Sequence, residues 1–245
     1  MRSSISKIAN KGFTLIELIV AVSIIIVITS VALFHQAKFS SDILISNMAY
    51  EIALTIRQAQ VYGISSKGKA SDQIQSTEQY RVGYGVHFEG SNTEEKPSTF
   101  LTFIDVSDQP GASTPGSDTH FNYEYDPPTD NSETYRDLVT NTIELTQGEK
   151  IHRFCAHNTS GWNCWDTATN KSNKTLDIVF VKPNPDAHIT IGLDKAYTRD
   201  YDQAKIVIES GLGDKCRTVR VFISGQVSVD AADANLPFGG CEVNN

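Results

Sequence analysis

The sequence predicts an α+β fold in which a long N-terminal helix packs on an antiparallel β-sheet domain. Three patterns in the chain support this prediction. Residues 13–33 form a nearly unbroken apolar run, residues 34–64 carry apolar side chains at helical spacings, and beyond residue 80 apolar and polar side chains alternate. No proline occurs in residues 13–64, and the first glycine after residue 12 is Gly63. We therefore expect one helix from Phe13 to about Tyr62, ended by Gly63.

The apolar run is long enough to cross a membrane as a helix. A bilayer core requires about 20 apolar residues at a rise of about 1.5 Å per residue. Glu17 is the only ionisable residue in the run. A carboxylate at the centre of such a helix costs about 2.5 to 3.5 kcal/mol, and less near an end. Glu17 is therefore expected to have a function that involves a cation at membrane depth.

The residues before and within the start of the run form a recognisable motif. A leader with Arg2, Lys7 and Lys11 ends at Gly12, and Gly12 is followed by Phe13, with Glu17 five residues into the remaining chain. This arrangement resembles the type IV prepilin motif of pilins and of the pseudopilins of type II secretion. The resemblance implies that a prepilin peptidase removes residues 1–12 and methylates the new amino group of Phe13.

The same resemblance gives Glu17 a role in assembly rather than in catalysis. It implies that the carboxylate pairs with the Phe13 ammonium of a neighbouring subunit. Two separate charges in lipid are each costly and become tolerable together, so pairing favours transfer of the helix into a filament. Because many major pilins carry a proline in this helix and residues 13–64 carry none, the chain is predicted to be a minor pilin or pseudopilin.

The N-terminus has two other interpretations. An ordinary secretory signal has an apolar region of about 7 to 15 residues and a small-residue cleavage site, for which Ser30-Val31-Ala32 is a candidate. A single-pass anchor is the second alternative. The length of the run and the position of Glu17 disfavour the signal, and both alternatives leave the motif at residues 12–17 unexplained.

The distribution of charge predicts the orientation of the chain. The leader cations precede residues 13–33, and the first Lys or Arg beyond them is Lys38. The positive-inside bias then places the N-terminus in the cytoplasm and the remainder outside. By the resemblance, the chain is a single-pass inner-membrane protein that contacts lipid, an assembly platform and other pilins, and then enters a periplasmic or cell-surface filament.

The acidic composition argues against a nucleic-acid partner. The formal charge is −8, and removal of the three leader cations leaves 18 Lys and Arg against 29 Asp and Glu, or −11. Residues 228–245 contain Asp230, Asp233 and Glu242 but no Lys or Arg. Phosphate backbones repel such a surface, so a DNA-receptor role is not expected.

The amphipathic half of the helix, residues 34–64, should lie on the sheet domain. Its predicted buried face consists of Ile45, Met48, Ala49, Ile52, Ala53, Ile56 and Ala59, whereas Tyr50, Leu54 and Val61 point to another side. Residues 49–68 resemble the corresponding part of the GspH and FimT group of pseudopilins, in which this helix leads into the sheet.

Residues 65–245 are predicted to form a β-rich domain outside the cytoplasm. After a polar loop at 65–79, strands are predicted at residues 80–88, 99–106, 143–145, 151–154, 176–181, 188–191, 205–209 and 218–229, the last interrupted by a hairpin turn at Ser224-Gly225. Residues 107–141 are rich in Pro, Gly, Ser, Thr and Asp and are predicted to be an exposed insertion. Within it, residues 110–131 are a candidate binding region, although a spacer is the more common role.

Four cysteines in an exported domain are expected to form disulfides, and three connectivities are possible. Cys155 with Cys164 and Cys216 with Cys241 are favoured because each pair is nearest in sequence. Zinc binding by His152, Cys155, His157 and Cys164 is the less favoured alternative, because the spacing fits no familiar zinc module. Asp230, Asp233 and Asn235 are a candidate calcium site, but three oxygen ligands are too few without help from backbone and water. Neither a metal nor another cofactor is therefore expected.

The sequence offers no catalytic constellation. It lacks the G-x-S-x-G, Walker A, HExxH and CxxC patterns, and its six histidines are scattered. The function predicted is therefore a filament subunit and not an enzyme. A membrane-anchored binding module that never polymerises is the main alternative, and an anchored hydrolase that uses a carboxylate pair is a weaker one.

Overall fold

The computed structural model describes residues 12–65, 82–91, 95–106, 123–125, 137–166, 174–192, 201–211, 213, 215–231 and 241, with only the backbone of residues 32–40, 106, 166 and 231. The chain divides into two compact units, residues 1–40 and residues 41–245. Helix α1 covers Leu15–Ile64. The α+β class predicted from the sequence is confirmed.

In the part of the chain that the structure describes, ten strands form two antiparallel sheets of five strands each. Sheet A has the order β3-β2-β1-β6-β7 and sheet B the order β10-β9-β8-β4-β5. In chain order the strands are β1 Val82–Glu89, β2 Thr99–Val106, β3 Leu138–Glu144, β4 Lys150–Asn158, β5 Gly161–Asp166, β6 Thr175–Phe180, β7 Ala187–Ile191, β8 Tyr201–Glu209, β9 Cys216–Phe222 and β10 Val227–Ala231.

One hydrophobic core lies within residues 41–245. It joins the apolar stripe of α1 to the inner faces of both sheets. Six members of the predicted stripe are buried, namely Ile45, Met48, Ala49, Ile52, Ile56 and Ala59. Large aromatic side chains complete the core, with the ring of Phe154 stacked 5.0 Å from that of Trp165. Burial of these side chains from water is the main force that holds helix and sheets together.

Gly63 lies in the last turn of α1, which ends at Ile64, within two residues of the predicted end. Its role is close packing. A Cβ atom at this position would lie 2.8 Å from the carbonyl carbon of Phe180 in β6, inside any acceptable contact distance. Glycine therefore allows the last turn of the helix to approach the sheet backbone.

Polar contacts fix the part of α1 beyond residue 41 to sheet B, to the β9–β10 loop and to the connection between β6 and β7 of sheet A. Asp42 pairs with Lys215, and Arg217 Nε donates to Ser46 Oγ at 3.1 Å. Farther along the helix, Gln60 Nε2 donates to the carbonyl oxygens of Pro185 and Gly225, each at 3.0 Å. The helix is thereby tied to the sheet domain near both ends of its buried stretch.

The β9–β10 hairpin lies where the sequence predicts it, with a slightly longer loop. Three residues, Ile223 to Gly225, separate the paired residues Phe222 and Gln226. Gly225 has a φ of +76° and donates to the Phe222 carbonyl oxygen. This is a three-residue loop with glycine in the left-handed position, rather than a two-residue turn.

The other predicted strands are present with shifted ends, and β5 was missed. β5 pairs with β4 so that Cys155 faces Cys164. The structure contains both disulfides that the sequence favours, Cys155–Cys164 and Cys216–Cys241, with Cα–Cα distances of 4.0 and 5.2 Å.

The segment 107–141, predicted to be an exposed insertion, departs from that prediction in two respects within its described residues. β3 begins at Leu138, so the last residues of the segment belong to sheet A. Residues 123–125 contact the outer face of sheet A, where Glu124 is buried. Nearly all of the candidate binding region at 110–131 lies outside the described residues.

Candidate assembly site

The start of α1 is held by Thr14. Its Oγ1 accepts a hydrogen bond from the Glu17 backbone N–H at 3.3 Å, and its carbonyl oxygen accepts the first helical bond, from Leu18 N at 3.2 Å. Thr14 is thus the N-cap, and Glu17 occupies the third helical position. A carboxylate in the first turn also faces the positive end of the helix dipole.

The first turns of α1 expose apolar side chains on every face. Within residues 13–31 the large apolar side chains are 46–85% exposed. Three hydroxyls in this stretch are satisfied by the helix itself: Ser23 donates to Val20 O, Thr29 to Ile25 O and Ser30 to Ile26 O, at 2.7–2.8 Å. A helix that is apolar all round is suited to burial in lipid or among other chains.

Glu17 is the one ionisable side chain in residues 13–31. Among the residues that the structure describes, its carboxylate has no hydrogen-bond or ion-pair partner. The predicted membrane span at residues 13–33 is not confirmed, because no helix in the described part of the chain is both long and apolar enough to cross a membrane.

Comparison with known proteins singles out the same region. Residues 8–33 match the family model described as prokaryotic N-terminal methylation motif. No curated protein and no solved structure matches the chain. The matched motif supports a type IV pilin-like prepilin. It contains Gly12, Phe13 and Glu17, the three residues singled out from the sequence.

A second group of polar residues lies on the outer face of sheet A. His87 Nδ1 is 2.7 Å from Asp177 Oδ1 across β1 and β6, and both residues are buried. The Tyr125 ring packs against His87 and against Phe103, at centroid distances of 4.8 and 5.3 Å. Burial raises the pKa of the Tyr125 hydroxyl, with a further rise from the nearby carboxylates of Asp137, Glu89 and Asp177.

The neighbouring residue Tyr123 is held on the same face. Its ring stacks parallel to that of His188 at 3.8 Å, and its carbonyl oxygen accepts a hydrogen bond from Thr190 Oγ1 at 3.1 Å. Tyr123 has a φ of 58°, in the left-handed region that residues other than glycine seldom adopt. Tyr123 thus covers β7, and the contact of Tyr125 with His87 covers the outer face of β1; β1 is buried on both faces, whereas the sequence predicted one buried face.

The third polar group ties the start of β4 to the end of β8. Lys96 Nζ lies 2.5 Å from Glu209 Oε2, and His152 Nδ1 lies 3.0 Å from each of these two atoms. Burial raises the pKa of Glu209, but the hydrogen bonds from His152 and Lys96 outweigh it, and the net pKa is lower than usual. The contacts of Glu209 with Lys96 and His152 thus have a structural role, since they connect β8 to β4 and to the residues before β2.

The structure separates the residues of the less favoured metal hypotheses. Cys155 and Cys164 form a disulfide, His152 contacts Glu209, and His157 Nδ1 lies 2.8 Å from Asp202 Oδ1. Asp230 pairs with Arg220 at 2.5 Å, whereas Asp233 and Asn235 lie outside the described residues. The described part of the chain contains no cluster of three His, Cys, Asp or Glu side chains suited to a metal.

The sequence does not indicate the His87–Asp177 pair or the Lys96–His152–Glu209 group. Their members are separated by 90 and 113 positions in the chain, for His87 and Asp177 and for Lys96 and Glu209. The available signal was an acidic residue, Asp177, inside an apolar strand. A buried carboxylate in such a position requires a partner, but the residues around Asp177 in the sequence do not identify that partner.

Proposed function

We propose that this chain is a subunit of a type IV pilus or of a type II secretion-like filament, as a minor pilin or pseudopilin. The single observation that carries the proposal is the match of residues 8–33 to the methylation motif. The motif implies processing by a prepilin peptidase and assembly with other pilins. The peptidase is proposed to cut after Gly12 and to methylate the amine of Phe13.

Glu17 is proposed to guide the assembly of the processed chain. Its carboxylate has no partner among the described residues and lies one turn into an apolar helix surface. Pairing with the Phe13 ammonium of a neighbour would neutralise two charges that are costly in lipid. Before assembly, residues 13–33 are proposed to lie in the inner membrane, where they contact lipid and an inner-membrane assembly platform, and residues 65–245 are proposed to lie outside the cytoplasm.

The first test is the intact mass and N-terminal sequence of the protein isolated from its own cells. We expect a chain that begins at Phe13 and carries one extra methyl group. A chain that begins near Leu33 would indicate an ordinary cleaved signal. An uncut chain that begins at Met1 would indicate a simple anchor. Either of these two results would refute the filament proposal.

A further inference from the structure

A groove of about 410 Å³ opens beside sheet A, between α1 and the strands β1, β2 and β3. Its volume falls in the lower part of the range of roughly 300 to 1,000 Å³ that small-molecule sites occupy. One wall is a stripe of α1, and the other walls come from the three strands. The lining residues are Glu51, Thr55, Gln58, Ala59, Tyr62, Tyr84, Gly85, Thr102, Phe103, Thr140, Asn141 and Ile143.

The strand wall of the groove is irregular where it meets β3. The register between β2 and β3 shifts at Thr102/Phe103, which leaves Thr140 as an extra residue on β3. Thr140 Oγ1 donates to the Thr102 carbonyl oxygen at 3.0 Å and lies 2.7 Å from Thr102 Oγ1. Bulges of this kind redirect side chains and are common beside binding sites.

The polar groups in the groove are neutral hydroxyls and amides, with one carboxylate. Gln58 Nε2 donates to the Tyr62 hydroxyl at 2.7 Å, which orients both groups along the helix wall. In the part of the chain that the structure describes, the side chains of Glu51 and Asn141 form no hydrogen bond. They are the groups best placed to accept new partners.

This composition narrows the class of ligand. Among the residues that the structure describes, the lining contains no Lys, Arg or His, so these residues offer no counter-charge to a phosphate or carboxylate ligand. A single carboxylate is too small a ligand set for a metal ion. Hydroxyl, amide and carboxylate groups suit a ligand with many hydroxyls, each of which donates and accepts. The half-buried ring of Tyr62, which packs edge-on against the buried ring of Tyr84 at a centroid distance of 5.6 Å, supplies an apolar surface for C–H groups.

We propose that the groove between α1 and β3 binds a small neutral carbohydrate, a mono- or disaccharide unit. Asn141 on the strand wall and Glu51 on the helix wall hydrogen-bond its hydroxyls, and the Tyr62 ring contacts its apolar face. The site lies within residues 41–245 and is independent of whether the chain polymerises.

The test uses the full chain in a zwitterionic amine-oxide detergent, because maltoside and glucoside head groups belong to the proposed ligand class. A panel of neutral mono- and disaccharides is screened by saturation-transfer NMR, and titration calorimetry then measures Kd for the sugars that bind. We expect saturable binding of at least one sugar. Asn141→Ala and Glu51→Gln should each raise Kd about three- to tenfold.

Thr142→Ala is the matched control, since Thr142 is an exposed β3 residue outside the lining. It should leave Kd unchanged. Thermal unfolding of each variant shows whether a loss of binding reflects a loss of folding. Because Glu51 lies on the helix, Glu51→Gln tests the site independently of any change in β3. The proposal is overturned if no sugar binds, if both groove variants bind as wild type, or if only peptides or anionic ligands compete for the groove.

Discussion

His87 Nδ1 lies 2.7 Å from Asp177 Oδ1, and the two side chains are only 6% and 3% exposed. The residues face each other directly in the register between β1 and β6. Tyr125 packs against the histidine, so the pair links the central strand β1 and its neighbour β6 to residues 123–125 on the outer face of sheet A. A polar pair at this depth is stabilising only while both partners are present.

Replacement of Asp177 should therefore destabilise the protein strongly. Asp177→Ala removes the acceptor for a buried imidazole, and we expect the free energy of unfolding to fall by about 1.5 to 3 kcal/mol. Asp177→Asn keeps an acceptor oxygen and should cost less. Urea unfolding with the disulfides intact measures both effects.

Asp230→Ala is the control for this experiment. Asp230 also pairs with a basic residue, Arg220, but the two side chains are 38% and 40% exposed. An exposed pair of this kind contributes up to about 1 kcal/mol. If Asp177→Ala were no more destabilising than Asp230→Ala, the buried pair would have no special structural role.

Glu209 should make the stability depend on pH in the acidic range. Its pKa in the folded protein is lowered, since hydrogen bonds from His152 and Lys96 outweigh the effect of burial. Between the folded and unfolded pKa values the unfolded chain binds more protons at this site, so stability rises with pH. The stabilisation is complete above the unfolded value of about 4.3 and is lost as pH falls through the lower folded value.

We expect Glu209→Gln to reduce the slope of the unfolding free energy against pH below about pH 5. Lys96→Gln should reduce it as well, because it removes one of the groups that lower the pKa. Glu144→Gln, at an exposed position on β3, is the charge-matched control. Equal slopes in wild type and Glu209→Gln would contradict the assignment.

The Cys216–Cys241 disulfide should contribute more to stability than the Cys155–Cys164 disulfide. The sequence separation of the two cysteines is 25 in Cys216–Cys241 and 9 in Cys155–Cys164. Loop-closure entropy then gives about 3.5 kcal/mol for the first and about 2.7 kcal/mol for the second, in a model-dependent calculation. Unfolding of Cys216→Ser/Cys241→Ser and Cys155→Ser/Cys164→Ser double variants compares them, and the reverse order would contradict the entropic argument.

The elements of this fold could be predicted from the sequence wherever periodicity is strong. The helical stripe from Ile45 to Ala59 and the alternation along β1 each indicated the correct element. β5 was not predicted because its six residues, Gly161–Asp166, are too short a stretch for a clear alternation of apolar and polar side chains. Its strand character depends on the pairing with β4, which brings Cys164 opposite Cys155.

The remaining features depend on contacts between distant parts of the chain. Gly63 has the local sequence context of a helix terminator, but its role is set by the Phe180 carbonyl group in β6. The burial of His87 depends on Tyr125. No local pattern encodes these partners, and the groove beside β3 likewise arises only when helix and strands come together.

The decisive test of filament assembly concerns Glu17. Glu17→Ala should yield a processed, exported chain that fails to enter filaments, because the Phe13 ammonium of a neighbour loses its partner in an apolar environment. Glu144→Ala, which removes an exposed carboxylate from β3, should assemble as wild type. Sheared-filament fractions measure assembly, and formation of the Cys155–Cys164 disulfide reports export to an oxidising compartment and correct folding. A Glu17→Ala chain that is processed, oxidised and present in filaments at the wild-type level would show that assembly does not depend on this carboxylate.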